Sequence, residues 1–315
     1  MSGNLEIRRW ARIGCPAFAV AQSQDGQYIA VGSEQGVHIF DSTGANLLTF
    51  PPTDTPLPVH QLAAAPDLAQ IYVGARQGQL VRLDLERTKE GFDCDARPLL
   101  REPDDNDLHT LALSANVIAV GHLAPALTLL QTDGELLWRR HPRDGTATEG
   151  RLWSVALDEK ARTLYLGSAG TGTNRLAALD INSRAPRGHC SVEARITALV
   201  PLAAGRGVAA VLAQDVYSSR LVAFDNRMEA PLWEHTFDGP VTALATDAQA
   251  PLLVAGVGYE GQATLIDTDS GHIVASQTLK SVVNGLALTQ GRFVAAATQD
   301  GNLALLRHLP EEFRL

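Results

Sequence analysis

Cysteines, aromatic side chains and long apolar runs are all scarce in this chain of 315 residues, and each shortage excludes a class of protein. The three cysteines, Cys15, Cys94 and Cys190, are too few and too scattered for a disulfide framework, and their odd number suits a reducing compartment. No apolar stretch approaches the ~20 residues of a membrane span, and the opening segment, MSGNLEIRRWARIG, lacks the apolar core of a signal peptide. We therefore expect a soluble, cytoplasmic protein that does not insert into a membrane.

Basic residues are in the minority: 26 Lys and Arg stand against 35 Asp and Glu, for a formal net charge of −9. A surface that follows phosphates needs clustered Lys and Arg, so nucleic acid is disfavoured as a main partner. The nine histidines and three cysteines show neither His-x₃-His nor Cys-x₂-Cys spacing. We expect no bound cofactor or metal.

What the chain does contain is short apolar runs separated by turn residues, and residues 17–50 show the pattern best. The runs AFAVA, YIAVG, VHIF and NLLTF are separated by Asp25-Gly26, by the segment 34–36 and by the segment 41–44. Glycine and asparagine accept the positive φ that tight hairpins need, so this arrangement predicts a four-stranded antiparallel meander. One such sheet would leave an apolar face in water, so the unit must repeat.

The repeat is visible as a second strand that ends in a small residue, a short loop, and a third strand that ends in a turn, usually at Asp. This marker recurs at 71–84, 117–134, 164–180, 208–225, 252–267 and 293–307. The turn aspartates are 43 residues apart from Asp41 to Asp84, 45 from Asp180 to Asp225, and 42 from Asp225 to Asp267. A period of about 40–45 residues with four strands in each unit is typical of propeller blades.

We therefore predict an all-β protein: one seven-bladed β-propeller domain over residues 1–315, with four antiparallel strands in each blade and no helix longer than a turn or two. The blades are expected at about 15–50, 58–100, 107–141, 151–192, 195–237, 240–279 and 282–308. The last unit lacks a fourth strand, because the final segment HLPEEFRL has little strand character. We expect the N-terminal strand 4–13 to complete it, with Trp10 packed against the blade, since closure removes an exposed edge.

The chain resembles the WD-repeat family of seven-bladed propellers over nearly its whole length, best at 17–50 and in RLWSVAL at 151–157. No third strand ends in the Trp-Asp dipeptide. A second resemblance, to quinone-dependent dehydrogenase propellers, rests on Trp138 and Trp233 in fourth strands and on LVAFDNRMEAPLWEH at 221–235. The WD-repeat resemblance implies a platform that binds proteins. The quinoprotein resemblance implies a cofactor, but the acidic calcium cage and adjacent cysteines that it would require are not found.

The segment 256–261, GVGYEG, matches the dinucleotide fingerprint G-x-G-x-x-G. That site needs a following helix, whereas the strand QATLID follows here, so we interpret the segment as a hairpin loop.

Two groups of residues are candidate binding sites on the face that carries the loops between second and third strands. The first lies in the loops of blades 4 to 6, where tyrosines favour an interface: Thr171, Asn174, Asp215, Tyr217, Tyr259 and Glu260. The second opens the first strands and should surround the channel mouth: His60, His109, Arg151, Arg195 and Asn284. Polar filling next to water is the alternative interpretation of this second group. Two long connections, 91–107 and 139–151, are expected on the same face as possible docking elements.

Two functions are compatible with this pattern. One is a non-enzymatic scaffold or regulatory module that docks one or more proteins on the loop-bearing face. The alternative is a ligand-binding or hydrolytic propeller that uses the channel mouth. No carboxylate cluster or His/Glu pair opens the first strands, so the convergent titratable groups of an enzyme are missing and the scaffold is favoured.

Overall fold

The architecture is a ring of seven four-stranded antiparallel sheets. Six of them are formed by strands that follow one another along the chain, and the seventh combines the first strand with the last three. The computed structural model describes residues 3–51, 56–75, 78–89, 91–101, 108–122, 126–140, 151–158, 160, 162–169, 174–247 and 249–310. The seven-bladed β-propeller predicted from the sequence is confirmed.

The first three blades follow the N-terminal strand in chain order. The chain begins with β1 (Gly3–Arg12). Blade 1 contains β2 (Ala17–Gln22), β3 (Tyr28–Ser33), β4 (Val37–Asp41) and β5 (Asn46–Phe50). Blade 2 contains β6 (Val59–Ala64), β7 (Gln70–Ala75), β8 (Gln79–Arg87) and β9 (Phe92–Arg101). Blade 3 contains β10 (Leu108–Leu113), β11 (Val117–His122), β12 (Leu127–Gln131) and β13 (Leu136–Arg140).

The remaining four blades continue this order. Blade 4 contains β14 (Arg151–Asp158), β15 (Thr163–Ala169), β16 (Asn174–Asp180) and β17 (Pro186–Val192). Blade 5 contains β18 (Arg195–Pro201), β19 (Gly207–Ala213), β20 (Ser219–Asp225) and β21 (Pro231–Phe237). Blade 6 contains β22 (Val241–Thr246), β23 (Leu252–Val257), β24 (Gln262–Asp267) and β25 (Ile273–Thr278). Blade 7 contains β26 (Val283–Thr289), β27 (Phe293–Thr298), β28 (Asn302–Pro310) and the N-terminal β1.

The core lies between the blades, because each sheet is covered by a neighbour on both faces. In β3, Ile29 and Val31 pack with residues of blade 7, whereas Ala30 between them packs with residues of blade 2. Alternate side chains of a strand point to opposite faces, so both sets are buried in this ring. This explains why the inner strands have continuous apolar sequences rather than alternating ones.

The small residue at the end of the second strand has a packing role. A Cβ atom added to Gly32 would lie 2.5 Å from Cγ1 of Val59, in the first strand of the next blade. The same addition at Gly256 would place the new atom 2.9 Å from Cβ of Val283 in blade 7. Glycine at these positions lets the first strand of the following blade approach closely, and the recurring small residue in the sequence marks this contact.

The N-terminal strand closes the ring as predicted: β1 is the outer strand of blade 7, and its register runs from Gly3 opposite Pro310 to Arg12 opposite Asn302. Leu5 is completely buried in the core between blades 6 and 7. Trp10 is packed only in part, since 47% of its surface is exposed. An outermost strand extends beyond the cover of the neighbouring blade, so this tryptophan lies at the rim.

Two other expectations from the sequence are corrected. The final segment, which begins at His308, was expected to have little strand character. Its first three residues, 308–310, instead belong to the continuous strand Asn302–Pro310. The expected connection 91–107 is largely the fourth strand of blade 2, because Phe92–Arg101 pairs with β8 along its whole length. The rest of that connection, 102–107, lies outside the described residues, as do 141–150 of the second connection.

Helical structure is minimal. In the described part of the chain, the one helical segment is a three-residue 3-10 helix at Ala203–Gly205, before β19. No helix of the described residues is both long and apolar enough to cross a membrane.

Candidate functional site

The two ends of the ring carry different loops. We call the end with the loops between second and third strands the upper face, and the end with the loops between first and second strands the lower face. The candidate residues from the sequence lie on the upper face, in the loops 214–218 and 258–261 and at the start of the first strands.

Among the described residues of the upper face, the most exposed large apolar side chains belong to neighbouring blades. Val216 and Tyr217 of blade 5 are 60% and 75% exposed, and Tyr259 of blade 6 is 60% exposed. The hydroxyl of Tyr259 donates a hydrogen bond of 2.9 Å to the carbonyl oxygen of Val216. The two loops are thus joined, and we call these three residues the tyrosine patch.

Local hydrogen bonds hold the blade 5 loop. Oδ1 of Asp215 accepts from the backbone N of Tyr217 at 2.7 Å and from Oγ of Ser218 at 3.0 Å. The bond from the amide of Tyr217, together with those from Ser218, lowers the pKa of Asp215. Glu260, next to Tyr259, is exposed. Two acidic side chains therefore flank the tyrosine patch.

The other members of the first group are placed differently. Asn174 begins β16, and its Nδ2 donates to the carbonyl oxygen of Glu193 at 3.4 Å, in the connection between blades 4 and 5. Thr171 lies outside the described residues. The structure therefore brings Asp215, Tyr217 and Tyr259 together and gives Asn174 a partner elsewhere.

A β-bulge occurs in every first strand at its second or third residue. The residues at which the register shifts are Phe18, His60, His109, Trp153, Thr197, Thr242 and Asn284. Three predicted mouth residues, His60, His109 and Asn284, belong to this series. Arg151 and Arg195 instead lie two positions before the bulge, and the sequence analysis missed Phe18, Trp153 and the two threonines.

Rings and cations from neighbouring blades contact one another along part of this series. The rings of Phe18 and His60 are 5.0 Å apart, and those of His109 and Trp153 are 4.9 Å apart in an edge-to-face arrangement. The guanidinium carbon of Arg195 lies 4.4 Å from the centre of the Trp153 ring. These contacts join successive blades, so the predicted mouth residues serve at least in part as packing between blades.

Asn284 joins the last blade, blade 7, to the first blade. Its Nδ2 donates to the carbonyl oxygen of Ala17 in blade 1 at 3.0 Å and to Oε1 of Gln299 at 2.7 Å. The side chain of Arg151 lies outside what the structure describes.

Cys94 and Cys190 lie in the fourth strands of different blades. Within the described ranges, no three His, Cys, Asp or Glu side chains converge as a metal site would require. Burial raises the pKa of both Cys94 and Cys190 to about 11, so these thiols are protonated at neutral pH and are poor nucleophiles.

A large cavity opens on the lower face, at the other end of the ring from the predicted mouth. Its volume is about 1090 Å³, and the hairpins between first and second strands line it, including Gln24, Pro66, Ser114, Leu202 and Gln290. The prediction placed the working end of the channel on the upper face. The lower end could have been suspected from the small residues at the ends of the first strands, such as Ala64 and Ala65.

Comparisons with known proteins show the fold alone. No family model matches the sequence, and no curated protein matches it. Among solved structures, 1627 chains match, so resemblance in shape does not discriminate between functions. One of them is the crystal structure of Raptor from Chaetomium thermophilum, with a TM-score of 0.78 and 14% sequence identity. The similarity covers 98% of this chain and 29% of the Raptor chain. The common feature is the propeller.

Proposed function

We propose that this protein is a non-enzymatic scaffold or regulatory module that docks a partner protein on the upper face, over blades 5 and 6. The observation that carries the proposal is the tyrosine patch, in which exposed apolar side chains of adjacent blades are joined by the Tyr259–Val216 hydrogen bond. Exposed apolar groups that cluster on a rigid scaffold commonly mark protein interfaces.

The composition of the patch supports this proposal. Tyrosine offers a large amphipathic contact and loses little conformational entropy on binding, so it is enriched among the residues that dominate binding energy. The loop of Tyr217 is held by Asp215, and Gly258 and Gly261 take φ values of +72° and +68° that shape the loop of Tyr259. Both side chains are therefore presented by ordered loops.

The sequence resemblance to WD-repeat propellers agrees with a docking role, and we extend the proposal to membership of that broad class. The cysteines Cys15, Cys94 and Cys190 are all free thiols, which is compatible with our proposal of a cytoplasmic location. The net charge of −9 disfavours nucleic acid as the partner. We propose no reaction at the channel mouth on the upper face, since the aromatic and imidazole side chains there pack against neighbouring blades.

The test is a comparison of two alanine variants of the full chain. Capture from native lysate with quantitative mass spectrometry identifies partners that wild type retains and Tyr217→Ala/Tyr259→Ala loses. With a purified partner, the double variant should lose at least ~2 kcal/mol of binding free energy, roughly 30-fold in Kd. Its melting temperature should barely change, because exposed loop positions contribute little to the core.

The matched control is Gln299→Ala, in the corresponding loop of blade 7. The equivalent position in blade 2, Gln77, lies outside the described residues. If Gln299→Ala weakens binding as much as the tyrosine pair, the interface is not centred on blades 5 and 6. If the tyrosine pair changes no partner, docking on this patch is wrong.

A further inference from the structure

The cavity on the lower face is a separate, concave feature at the other end of the ring from the tyrosine patch. Its volume of about 1090 Å³ lies just above the range for small-molecule pockets, which is about 300–1,000 Å³. The space therefore suits a chain segment better than an ion or a small metabolite. It remains open because many side chains at the ends of the first strands are small.

Apolar groups form much of the wall. They come from the hairpins of blades 2 to 5 and include Ala64, Ala65, Pro66, Leu113, Leu157 and Leu202. Such a wall provides contact area for the aliphatic stems of long side chains, which can bury their methylene groups while the charged head stays at a polar position.

The charged lining is mainly acidic. Four carboxyl groups line the cavity, from Asp25, Asp67, Asp158 and Asp247, against the single ammonium group of Lys160. The four belong to blades 1, 2, 4 and 6. In the described part of the chain no three acidic, His or Cys side chains come close enough to hold a metal ion. Separated carboxylates fit several separated cations rather than one ion.

Two of these carboxylates are held in place by their own turns. Oδ1 of Asp25 accepts from the backbone N of Gln27 at 3.0 Å, and Oδ1 of Asp67 accepts from the backbone N of Ala69 at 3.0 Å. The hydroxyl of Ser23 also bonds to Asp25, and this bond is the main cause of its lowered pKa. Asp25 is therefore ionised and oriented before any ligand arrives, which reduces the entropy cost of binding.

We propose that this cavity binds a segment of a partner protein that is rich in Lys and Arg and lies extended across the lower face. The carboxylates of Asp25 and Asp67 pair with its cations, and the alanine and leucine wall contacts the aliphatic stems between them. The site is independent of the tyrosine patch, so a partner can occupy one face without the other.

The experiment measures fluorescence anisotropy of a labelled short peptide of alternating lysine and alanine with the full chain. Wild type should bind it saturably, and binding should weaken between about 50 mM and about 500 mM salt because screening reduces charge pairing. A peptide with glutamine in place of lysine should not bind. Asp25→Asn/Asp67→Asn should raise Kd roughly fivefold, since exposed ion pairs contribute modestly. Asparagine keeps the Oδ1 acceptor, so both turns should be retained.

The control pair, Asp215→Asn/Glu260→Gln, also removes two negative charges, but from the upper face, and should leave the Kd of the peptide unchanged. A second cavity variant, Ala115→Arg, adds a cation at an exposed lining position and should also weaken binding, even if the aspartate variant folds poorly. Equal weakening by both acidic pairs would show attraction to net charge alone and overturn the proposal. So would the absence of saturable binding, or tighter binding of free spermine than of the peptide.

Discussion

At the scale of single residues, four of the aspartates that set the repeat period, Asp41, Asp180, Asp225 and Asp267, act as turn acceptors at the end of third strands. The other, Asp84, lies inside β8 and pairs with Arg82 instead. Oδ1 of Asp267 accepts from the backbone N of Asp269 at 3.0 Å and of Ser270 at 2.8 Å. Asp41 and Asp180 accept from the amides that follow them in the same way. The side chain satisfies amides that the turn leaves unpaired, which explains why Asp recurs at this place.

We expect Asp267→Ala to lower the free energy of unfolding by about 1–2 kcal/mol, because several amide donors lose their acceptor. Asp267→Asn, which keeps an acceptor oxygen, should recover much of that loss. Urea unfolding of the three proteins measures the difference. Equal stability of the alanine variant and wild type would mean that water replaces the carboxylate at no cost.

At the scale of strands and blades, neighbouring blades are joined by apolar contacts and by hydrogen bonds from aromatic side chains. Nε1 of Trp233 in blade 5 donates to the carbonyl oxygen of Thr268 in blade 6 at 2.8 Å. The hydroxyl of Tyr72 in blade 2 donates to the backbone carbonyl oxygen of Thr132 in blade 3 at 3.2 Å. Ring closure depends in the same way on the contacts of β1 with its neighbours.

Within β1, the burial of side chains predicts a clear contrast. Leu5 is fully buried between blades 6 and 7, so Leu5→Ala should cost about 2–5 kcal/mol of stability. Trp10 is 47% exposed, and Trp10→Ala should cost much less despite the larger side chain. Thermal melts of both variants provide the comparison.

Removing residues 1–13 should have the largest effect, because it exposes the edge of β28 as well as the core. Unpaired strand edges aggregate, so the truncated protein should be insoluble or melt far below wild type. Melting at the wild-type temperature would contradict the role of β1 in closure.

At the scale of the whole molecule, two buried histidines make stability depend on pH. Burial lowers the pKa of His38, which is 3% exposed, and of His308, which is 6% exposed and lies on β28 opposite Leu5. The positive charge of Arg292 lowers the pKa of His308 further. Both histidines are easier to protonate in the unfolded chain, where the pKa is about 6.5.

Linkage gives the direction of the pH dependence. Between the folded and the unfolded pKa values the unfolded chain binds more protons, so protonation favours unfolding. The stability that the neutral histidines contribute is therefore complete above about pH 6.5 and is lost as the pH falls below that value. We expect the urea midpoint of wild type to decrease from pH 7.5 to pH 5.5 by more than that of His308→Gln. Parallel decreases in the two proteins would assign the acid sensitivity to other groups.

The sequence by itself determined the fold class, the number of blades and the closure by the N-terminal strand. These follow from local signals, namely turn residues, apolar run lengths and a constant period, which depend on neighbours along the chain. It also placed Tyr217 and Tyr259 in equivalent loops, because position within the repeat sets position on a face.

Only the tertiary structure decided the features that depend on contacts between blades. Two of these features are contacts between blades: the hydrogen bond from Tyr259 to Val216 and the stacking of Arg195 on Trp153. A third is the exposure of Trp10, which depends on how far the neighbouring blade covers it. The cavity is also of this kind, since seven hairpins that are distant in sequence create it together. A periodic pattern specifies what each blade contains, but the space that remains at the centre depends on how all seven pack.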